Sequence, residues 1–413
     1  MAMGKTSIII LSYNTYEYTK GCIESIRRYT EKSMYEIIVV DNASTDATVP
    51  WLKAQDDITC VFNADNQGFP KGCNQGLRIA TGESLLLLNS DTLVMPHWLE
   101  NLCHALYSTD AIGAVGCVTN NCSNFQQIPV NYTTRDELMA FASSYNQADA
   151  AKWELTLTLV GFCFLFKRKV YEQLGGLDEA FSPGNLEDDD YSLRIWKAGY
   201  KLLLCRDTFI HHFGSVSFAK DAAKKQQEEW RDALIAKNFC LLQKKWGVTE
   251  TYKLCDNAKN YLPGSLAPNS RILLLDCGCG MDMFRLAAKY KDIALYGVTT
   301  NIREAAIVQY TGFHCAYCEN LEMDLFRYLK ESFDYIFLWR IFDKCTDRLR
   351  FVSNMQSYLR PQGRLHVWIR NYSCFMGKND DIGNLISRIM QQDASLQQEA
   401  EHKGISCLLN EIE

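Results

Sequence analysis

Four short apolar runs in this chain each stop at a cluster of polar, chemistry-bearing residues. Ser7–Ser12 leads into Tyr13-Asn14, and Glu36–Val40 into Asp41-Asn42-Ala43-Ser44. Leu85–Leu88 leads into Asn89-Ser90-Asp91, and Thr208-Phe209-Ile210 into His211-His212. Segments with helical spacing lie between the early runs: Tyr16–Tyr29, Asp46–Gln55 and Lys71–Ala80, with a further strand-like stretch at Cys60–Asn63. This alternation predicts an α/β fold built of βαβ units around a largely parallel sheet. The runs are continuously apolar, as strands covered by helices on both faces must be. Ligands of such sheets bind beyond the carboxyl ends of the strands. The four polar clusters are therefore expected to meet in one site.

The acidic clusters suggest what the site does. Asp91 sits in a short turn after a buried strand, where a carboxylate can hold Mg²⁺ or Mn²⁺ against a diphosphate. It could equally cap the helix expected near Pro96–Leu106. Glu187-Asp188-Asp189-Asp190 opens a second helical segment. Acids favour a first helical turn, but four in a row exceed that need. One of them can serve as a base that takes a proton from an attacking hydroxyl. His211 and His212 precede the turn Gly214-Ser215, and a neutral imidazole is a metal ligand.

Taken in order, Ser7–Asn14, Glu36–Asp46, Asn66–Gly76, Gly82–Thr92, Gly175–Phe181, Glu187–Asp190 and His211–Ser215 resemble the motifs of family 2 glycosyltransferases. The subgroup most resembled is rhamnosyltransferase-like. The resemblance implies a GT-A fold and an inverting, metal-dependent glycosyltransferase (hexosyl- or deoxyhexosyl-transferring). The implied donor is a nucleotide-diphosphate sugar, UDP- or dTDP-linked. The implied acceptor is a glycan, a lipid-linked glycan or a peptide, in bacterial surface glycan or glycoprotein assembly. Carried over by position, Tyr13 and Asp41 contact the base, with Asn14 and Asn42 nearby. Asn66, Gly68, Gly72 and Asn74 shape the loop under the nucleotide, Ser90 sits in the acidic motif, and Gly161 to Cys163 lie near the donor sugar. Asp91 holds Mn²⁺ or Mg²⁺. Asn89 stands where the family has a first acid, which favours a histidine ligand: His212, with His211 as the alternative. Asp188 matches the base, and Glu187 helps hold the acceptor.

A second α/β segment begins at Arg271. Arg271–Gly280 followed by Met281–Ala287 reads as strand, glycine turn and helix, and resembles the first motif of S-adenosylmethionine-dependent methyltransferases. Ala294–Val298, Phe333–Phe337 and Leu359–Ile369 resemble that family's later strands. The third glycine of the motif is replaced by Asp282, and the acid expected to bind ribose hydroxyls is replaced by Thr299-Thr300. Both changes strike the cofactor rather than the core. The expectation is a degenerate Rossmann-like domain that does not take S-adenosylmethionine. A bifunctional glycosyltransferase–methyltransferase and an inactive carbohydrate-binding scaffold are the competing readings.

The expected domains are 1–220 (GT-A), 221–268 (a helical linker region) and 269–413 (methyltransferase-like, with a helical tail from Asp380). Residues 221–247 read as one long amphipathic helix carrying Trp230, Leu234, Phe239 and Leu242. The net charge of −6 argues against nucleic acid as a partner. The longest apolar stretch, Leu155–Phe166, falls far short of the roughly 20 residues a spanning helix needs. The start shows no cleavable leader, so a cytoplasmic protein is expected, with peripheral membrane contact and self-association left open. Seventeen dispersed cysteines are read as reduced thiols. Cys315-Ala-Tyr-Cys318, with His314 beside it and Cys277 and Cys279 upstream, is not expected to bind zinc.

Overall fold

The structure, a computed structural model, describes residues 4–122, 124–214, 224–250, 252–253, 255, 258–321, 331–338, 348–369 and 372–377. The tail from Asp380 lies outside the described residues. The chain divides into two compact units, Met1–Glu250 and Thr251–Glu413.

Among the described residues, the first unit has ten strands: β1 (Thr6–Ser12), β2 (Tyr35–Asp41), β3 (Ile58–Phe62), β4 (Ser84–Asn89), β5 (Thr92–Leu93), β6 (Ile112–Val118), β7 (Trp153–Leu155), β8 (Cys163–Lys167), β9 (Lys201–Phe209) and β10 (His211–His212). Its helices are α1 (Tyr16–Tyr29), α2 (Thr48–Lys53), α3 (Phe69–Ile79), α4 (Trp98–Leu106), α5 (Arg135–Tyr145), α6 (Arg168–Leu174), α7 (Glu187–Lys197) and α8 (Lys224–Trp246). Eight strands form one sheet in the order β3-β2-β1-β4-β8-β6-β9-β7, and β5 and β10 form a separate ribbon. From β3 to β4 the sheet is parallel, as the βαβ alternation requires. It departs from the expected parallel pattern at β8, antiparallel to both β4 and β6, and at β7, antiparallel to β9.

The core follows from the apolar runs. Ile8, Ile10, Ile37, Val39, Leu86 and Leu88 pack with Ile23 and Ile26 of α1 and Leu99 and Leu102 of α4. Burying a side chain of this kind contributes roughly 1.5–3 kcal/mol. On the other face, α3 comes close enough that a Cβ on Gly72 would lie 2.3 Å from Leu11 Cδ1, and one on Gly76 2.5 Å from Ile9 Cγ2. Gly72 thus serves helix–sheet packing inside α3 rather than the nucleotide loop.

Helix α8 belongs to the first unit, so the division falls after it rather than at 220. Leu234, Asn238 and Leu242, four residues apart, form its buried stripe, whereas Trp230 is 48% exposed. The polar member of that stripe matters for the site below.

The second unit holds β11 (Arg271–Leu275), β12 (Ala294–Thr299), β13 (His314–Tyr317), β14 (Phe333–Leu338), β15 (Leu359–Ile369) and β16 (Tyr372–Gly377), with α9 (Met281–Lys289), α10 (Ile302–Tyr310) and α11 (Arg348–Ser357). The sheet order is β13-β12-β11-β14-β15-β16. All pairs are parallel except β15–β16. This is a doubly wound order with the crossover point at β11/β14. No helix among the described residues is long and apolar enough to cross a membrane.

Candidate active site

The polar clusters at the ends of β1, β2 and β4 lie together at one end of the sheet, because those strands are neighbours, and the histidines that follow β9 are brought to the end of β4 by the β5–β10 ribbon. At the end of β2, Asp41 is 1% exposed; its Oδ2 accepts the Ser44 N–H at 3.0 Å, and its Oδ1 has no hydrogen-bond partner. An unpaired buried carboxylate oxygen is costly, and a ligand donor at this spot would remove the cost. Tyr13, 37% exposed, flanks it at the end of β1.

The residues expected near the nucleotide or in the loop beneath it hold those loops together. Asn14, at φ 53°, accepts from Thr45 N at 2.7 Å and donates its backbone N–H to Ser44 Oγ at 2.9 Å, tying the β1 and β2 ends together. Asn42 donates to Asn66 Oδ1 (2.8 Å) and accepts from Asn63 Nδ2 (2.9 Å) and Gln67 N (3.1 Å). It therefore braces the 63–68 loop from beneath. Asn66 also accepts the Gly68 N–H at 2.9 Å. Asn74 binds both the N–H and the C=O of Leu177, each at 2.8 Å, and so joins α3 to the 175–181 segment. Ser90 is buried, its Oγ 3.3 Å from Thr15 Oγ1.

Asp91 and His212 are brought together by the β5–β10 ribbon, in which Thr92 pairs with His212 and Phe213 N–H donates to Asp91 O at 3.0 Å. His212 Nε2 lies 3.2 Å from Asp91 Oδ1 and 3.5 Å from Asn89 Nδ2. His212 Nδ1 is 2.8 Å from the Asn121 carbonyl oxygen, which can only accept. Nδ1 therefore carries the proton, and Nε2 faces Asp91. Asn120 holds the His212 backbone from both sides: its Oδ1 accepts from His212 N at 2.9 Å, and its Nδ2 donates to His212 O at 3.1 Å. Phe162 stacks on the ring at 5.3 Å between centroids and 16° between planes. Burial pulls the imidazole's proton affinity down, but the hydrogen bond and charge of Asp91 and the Asn121 contact outweigh it, and the net shift is upward.

His211 faces the other side of the ribbon, as alternation along a strand demands. Its Nδ1 meets Tyr132 Oη at 2.6 Å among Tyr132 and Phe213. Burial, with the neighbouring His212, lowers its pKa to about 4. It does not share a site with Asp91.

The acid cluster opens α7 from Leu186, itself at φ 70°. Asp188 accepts two backbone N–H groups, Gly161 N at Oδ2 and Asp189 N at Oδ1, both at 2.9 Å. Glu187 is buried and its Oε2 has no hydrogen-bond partner. Burial first, and the Asp188 charge second, raise its carboxyl well above the usual range. Asp190 is spoken for: Arg194 Nε (2.9 Å), Lys245 Nζ (2.8 Å) and Trp246 Nε1 (2.9 Å) surround it, tying α7 to α8. Gly161 and Phe162 are consecutive, so one dipeptide touches Asp188 with its first residue and His212 with its second.

Two contributors escape the sequence reading: Asn120 and Asn121. The asparagines directly follow Thr119 after β6, so the rule that site residues follow strand ends would have found them. Among the described residues, no group of three or more His, Cys, Asp or Glu side chains is placed to hold a metal. The pair Asp91–His212 offers one carboxylate and one imidazole, a set that a diphosphate's own oxygens would complete.

Residues 7–175 match the family described as glycosyl transferase family 2. Among curated proteins, the chain is similar to glycosyltransferase GlyG of Streptococcus pneumoniae, 25% identical over 253 residues, covering 56% of this chain and 81% of that one. It is also similar to the low-salt glycan biosynthesis hexosyltransferase Agl10 of Haloferax volcanii, 29% identical over 183 residues, covering 42% of this chain and 56% of the relative. Among solved structures, a mannosyltransferase, PcManGT from Pyrobaculum calidifontis, aligns at 22% identity over 54% of this chain and 59% of that one, with a TM-score of 0.40. The first unit thus carries a family 2 glycosyltransferase domain.

Proposed function

We propose that the family 2 glycosyltransferase domain of this chain moves a sugar from a nucleotide-diphosphate donor to an acceptor hydroxyl with inversion. The observation that carries this reading is the Gly161-Phe162 bridge between the Asp91–His212 pair and Asp188. The residues suited to the departing diphosphate and the residue suited to the acceptor are thereby held in one frame. Asp91 and His212 would hold a divalent ion, Mn²⁺ or Mg²⁺, which when bound offsets charge on the leaving diphosphate. The fit rests on His212, whose Nδ1 contact to a carbonyl leaves Nε2 turned toward a carboxylate.

Asp188 takes the acceptor proton. Its two N–H donors and its place on the first turn of α7 favour the ionised form, which a base requires. Glu187, with its raised proton affinity, holds a proton and donates a hydrogen bond to the acceptor. Asp41 and Tyr13 receive the base, a uracil or thymine. The acceptor is a glycan, lipid-linked glycan or peptide, and the relative named for low-salt glycan biosynthesis supports a role in glycan assembly.

The test is donor hydrolysis by the full chain with a panel of nucleotide sugars in Mn²⁺, Mg²⁺ or EDTA. Release of one nucleoside diphosphate, dependent on metal and lost in Asp91→Ala, is the expected result. No release, together with no calorimetric binding of any donor with either metal, would replace the transferase with a sugar-binding scaffold.

For the second unit, the doubly wound sheet supports a methyltransferase-like ancestry without the cofactor. Asp282, standing in place of a motif glycine, is buried and accepts the Ala258 N–H at 2.8 Å. Its carboxylate has become part of the local structure. Thr299, in place of the ribose-binding acid, is fully buried. Calorimetry with S-adenosylmethionine should show no heat of binding; saturable binding would restore the bifunctional reading.

A further inference from the structure

We propose a binding site for a soft monovalent cation, Cu(I), in the second unit, formed by the thiols of Cys277 and Cys315 and the thioether of Met283. It is independent of the glycosyltransferase reading.

The site arises at a gap in β12. Gly297 sits between Leu274 of β11 and Cys315 of β13 in the register of the sheet. Cys277, in the turn after β11, donates its backbone N–H to Val298 O at 3.0 Å and so stays beside β12. Met283 comes down from α9. A Cβ built on Gly297 would lie 2.6 Å from Cys277 Sγ, 3.2 Å from Met283 Sδ and 3.4 Å from Cys315 Sγ. Three sulfurs from three elements therefore surround the one point on β12 that has no side chain. The two thiols are 3.8 Å apart across it.

Cysteines are often plain core residues, and Cys318 shows the contrast. It packs in the core on one side of the sheet with Leu273 and Phe333, while Cys315 packs on the other with Met283 and Cys277. The sequence pair Cys315–Cys318 is thus split, and a zinc knuckle is not formed. Among the described residues, what does form lacks the four ligands of structural zinc. Two thiols and a thioether in apolar surroundings match the preference of Cu(I) for soft ligands. Met283 is fully buried, whereas Cys315 is partly exposed and gives a path of entry. Binding is written Cu(I) + 2 RSH → [Cu(SR)₂]⁻ + 2 H⁺, with the thioether as a neutral third donor. No electron transfer is involved.

The test uses the full chain, fully reduced and anaerobic, titrated with Cu(I) from a coloured Cu(I)–bicinchoninate complex. The wild type is expected to strip one equivalent from the chelator. Cys277→Ser and Cys315→Ser should each lose that equivalent, and Met283→Leu should retain it with lower affinity. A second readout needs no variant: with one equivalent of Ag(I), Cys277 and Cys315 should be protected from alkylation by N-ethylmaleimide, as read by peptide mass spectrometry. The proposal is overturned if the wild type takes no copper from the chelator. It is equally overturned if both serine variants keep the first equivalent, or if Ag(I) shields other cysteines while these two are alkylated.

Discussion

His212 Nε2 lies 3.2 Å from Asp91 Oδ1, with Nδ1 held by the Asn121 carbonyl. Two lone-pair groups at that distance repel unless a cation lies between them. In the absence of metal the cation is a proton, which is why the His212 pKa is raised. That ion pair stabilises the fold below the unfolded histidine pKa of about 6.5, and the gain is lost as pH rises through the higher folded value. At the proposed metal site, metal and proton would compete for one lone pair. Mn²⁺ affinity in the presence of UDP should therefore fall about tenfold per pH unit below the folded pKa of His212. Calorimetry across pH 5.5–8 checks this, and a flat profile would remove His212 from the metal site. His211→Ala should leave the profile unchanged.

Glu187 and Asp188 are adjacent but should respond differently to loss of charge. Asp188→Asn removes the base and should lower kcat by about 10²–10⁴-fold, with donor binding retained. Burial raises the pKa of the Glu187 carboxyl, so Glu187→Gln, which keeps the size and supplies a donor, should cost less than about tenfold. The stability effect has its own sign. A raised carboxyl means the folded state holds a proton that the unfolded chain releases above pH ~4.3. Wild-type stability is thus full below that value and declines as pH rises toward the folded pKa. Glu187→Gln escapes the decline, so its Tm should exceed that of the wild type at pH 7 and match it near pH 4. The opposite order at pH 7 would mean that Glu187 is ionised.

Asn238 ties α8 to the loop before the acids. It is fully buried, and its Nδ2 is 2.7, 2.8 and 3.0 Å from the carbonyl oxygens of Phe181, Gly184 and Asn185. Asn238→Ala leaves those carbonyls short of a donor and should cost about 1–3 kcal/mol in urea unfolding. Because the loop runs directly into Glu187 and Asp188, kcat should fall more than donor KM rises. An equal change in both, or in neither, would confine Asn238 to stability.

The first four strands and the acid-bearing turns are legible because each is written locally, as an apolar run with a polar stop. The choice between His211 and His212 is not. It depends on the register of a two-residue ribbon with Thr92–Leu93, a pairing between distant segments that no local pattern encodes. The motif places Asn42, Asn66 and Asn74 near the nucleotide or in the loop beneath it, but does not say which bonds they make. Their side chains bond Gln67, Gly68 and Leu177. Helix α8 was read as a linker because its sequence is rich in Lys, Gln and Glu. Its hold on the first unit combines the buried Leu234 and Leu242, which periodicity registers, with Asn238 and the contacts of Lys245 and Trp246 to Asp190, which it does not.

Gly68 and Gly72 belong to the same motif yet answer to different constraints, and alanine should separate them. Gly68 has φ 78° and ψ 173°, a region costing a residue with a Cβ about 1–3 kcal/mol. Its added Cβ would also lie 2.8 Å from Pro183 Cα, which is backbone and cannot swing aside. Gly72 is helical, and its added Cβ meets the Cδ1 end of Leu11, a side chain with rotamers to spare. Alanine there also gains about 1 kcal/mol of helix propensity, which offsets part of an overpacking cost of about 1–3 kcal/mol. Gly68→Ala should thus destabilise by at least about 2 kcal/mol, and Gly72→Ala by about 1 kcal/mol or less. Urea midpoints at unchanged m-value measure both. Since Phe69 N–H donates to Pro183 O at 2.8 Å, pushing Pro183 away also disturbs the lead into the acid cluster. Gly68→Ala should therefore lose activity even at temperatures where it is fully folded, whereas Gly72→Ala should not. Equal midpoints for the two variants would show that the backbone at Gly68 relaxes freely, and the link between the nucleotide loop and the acids would fall with it.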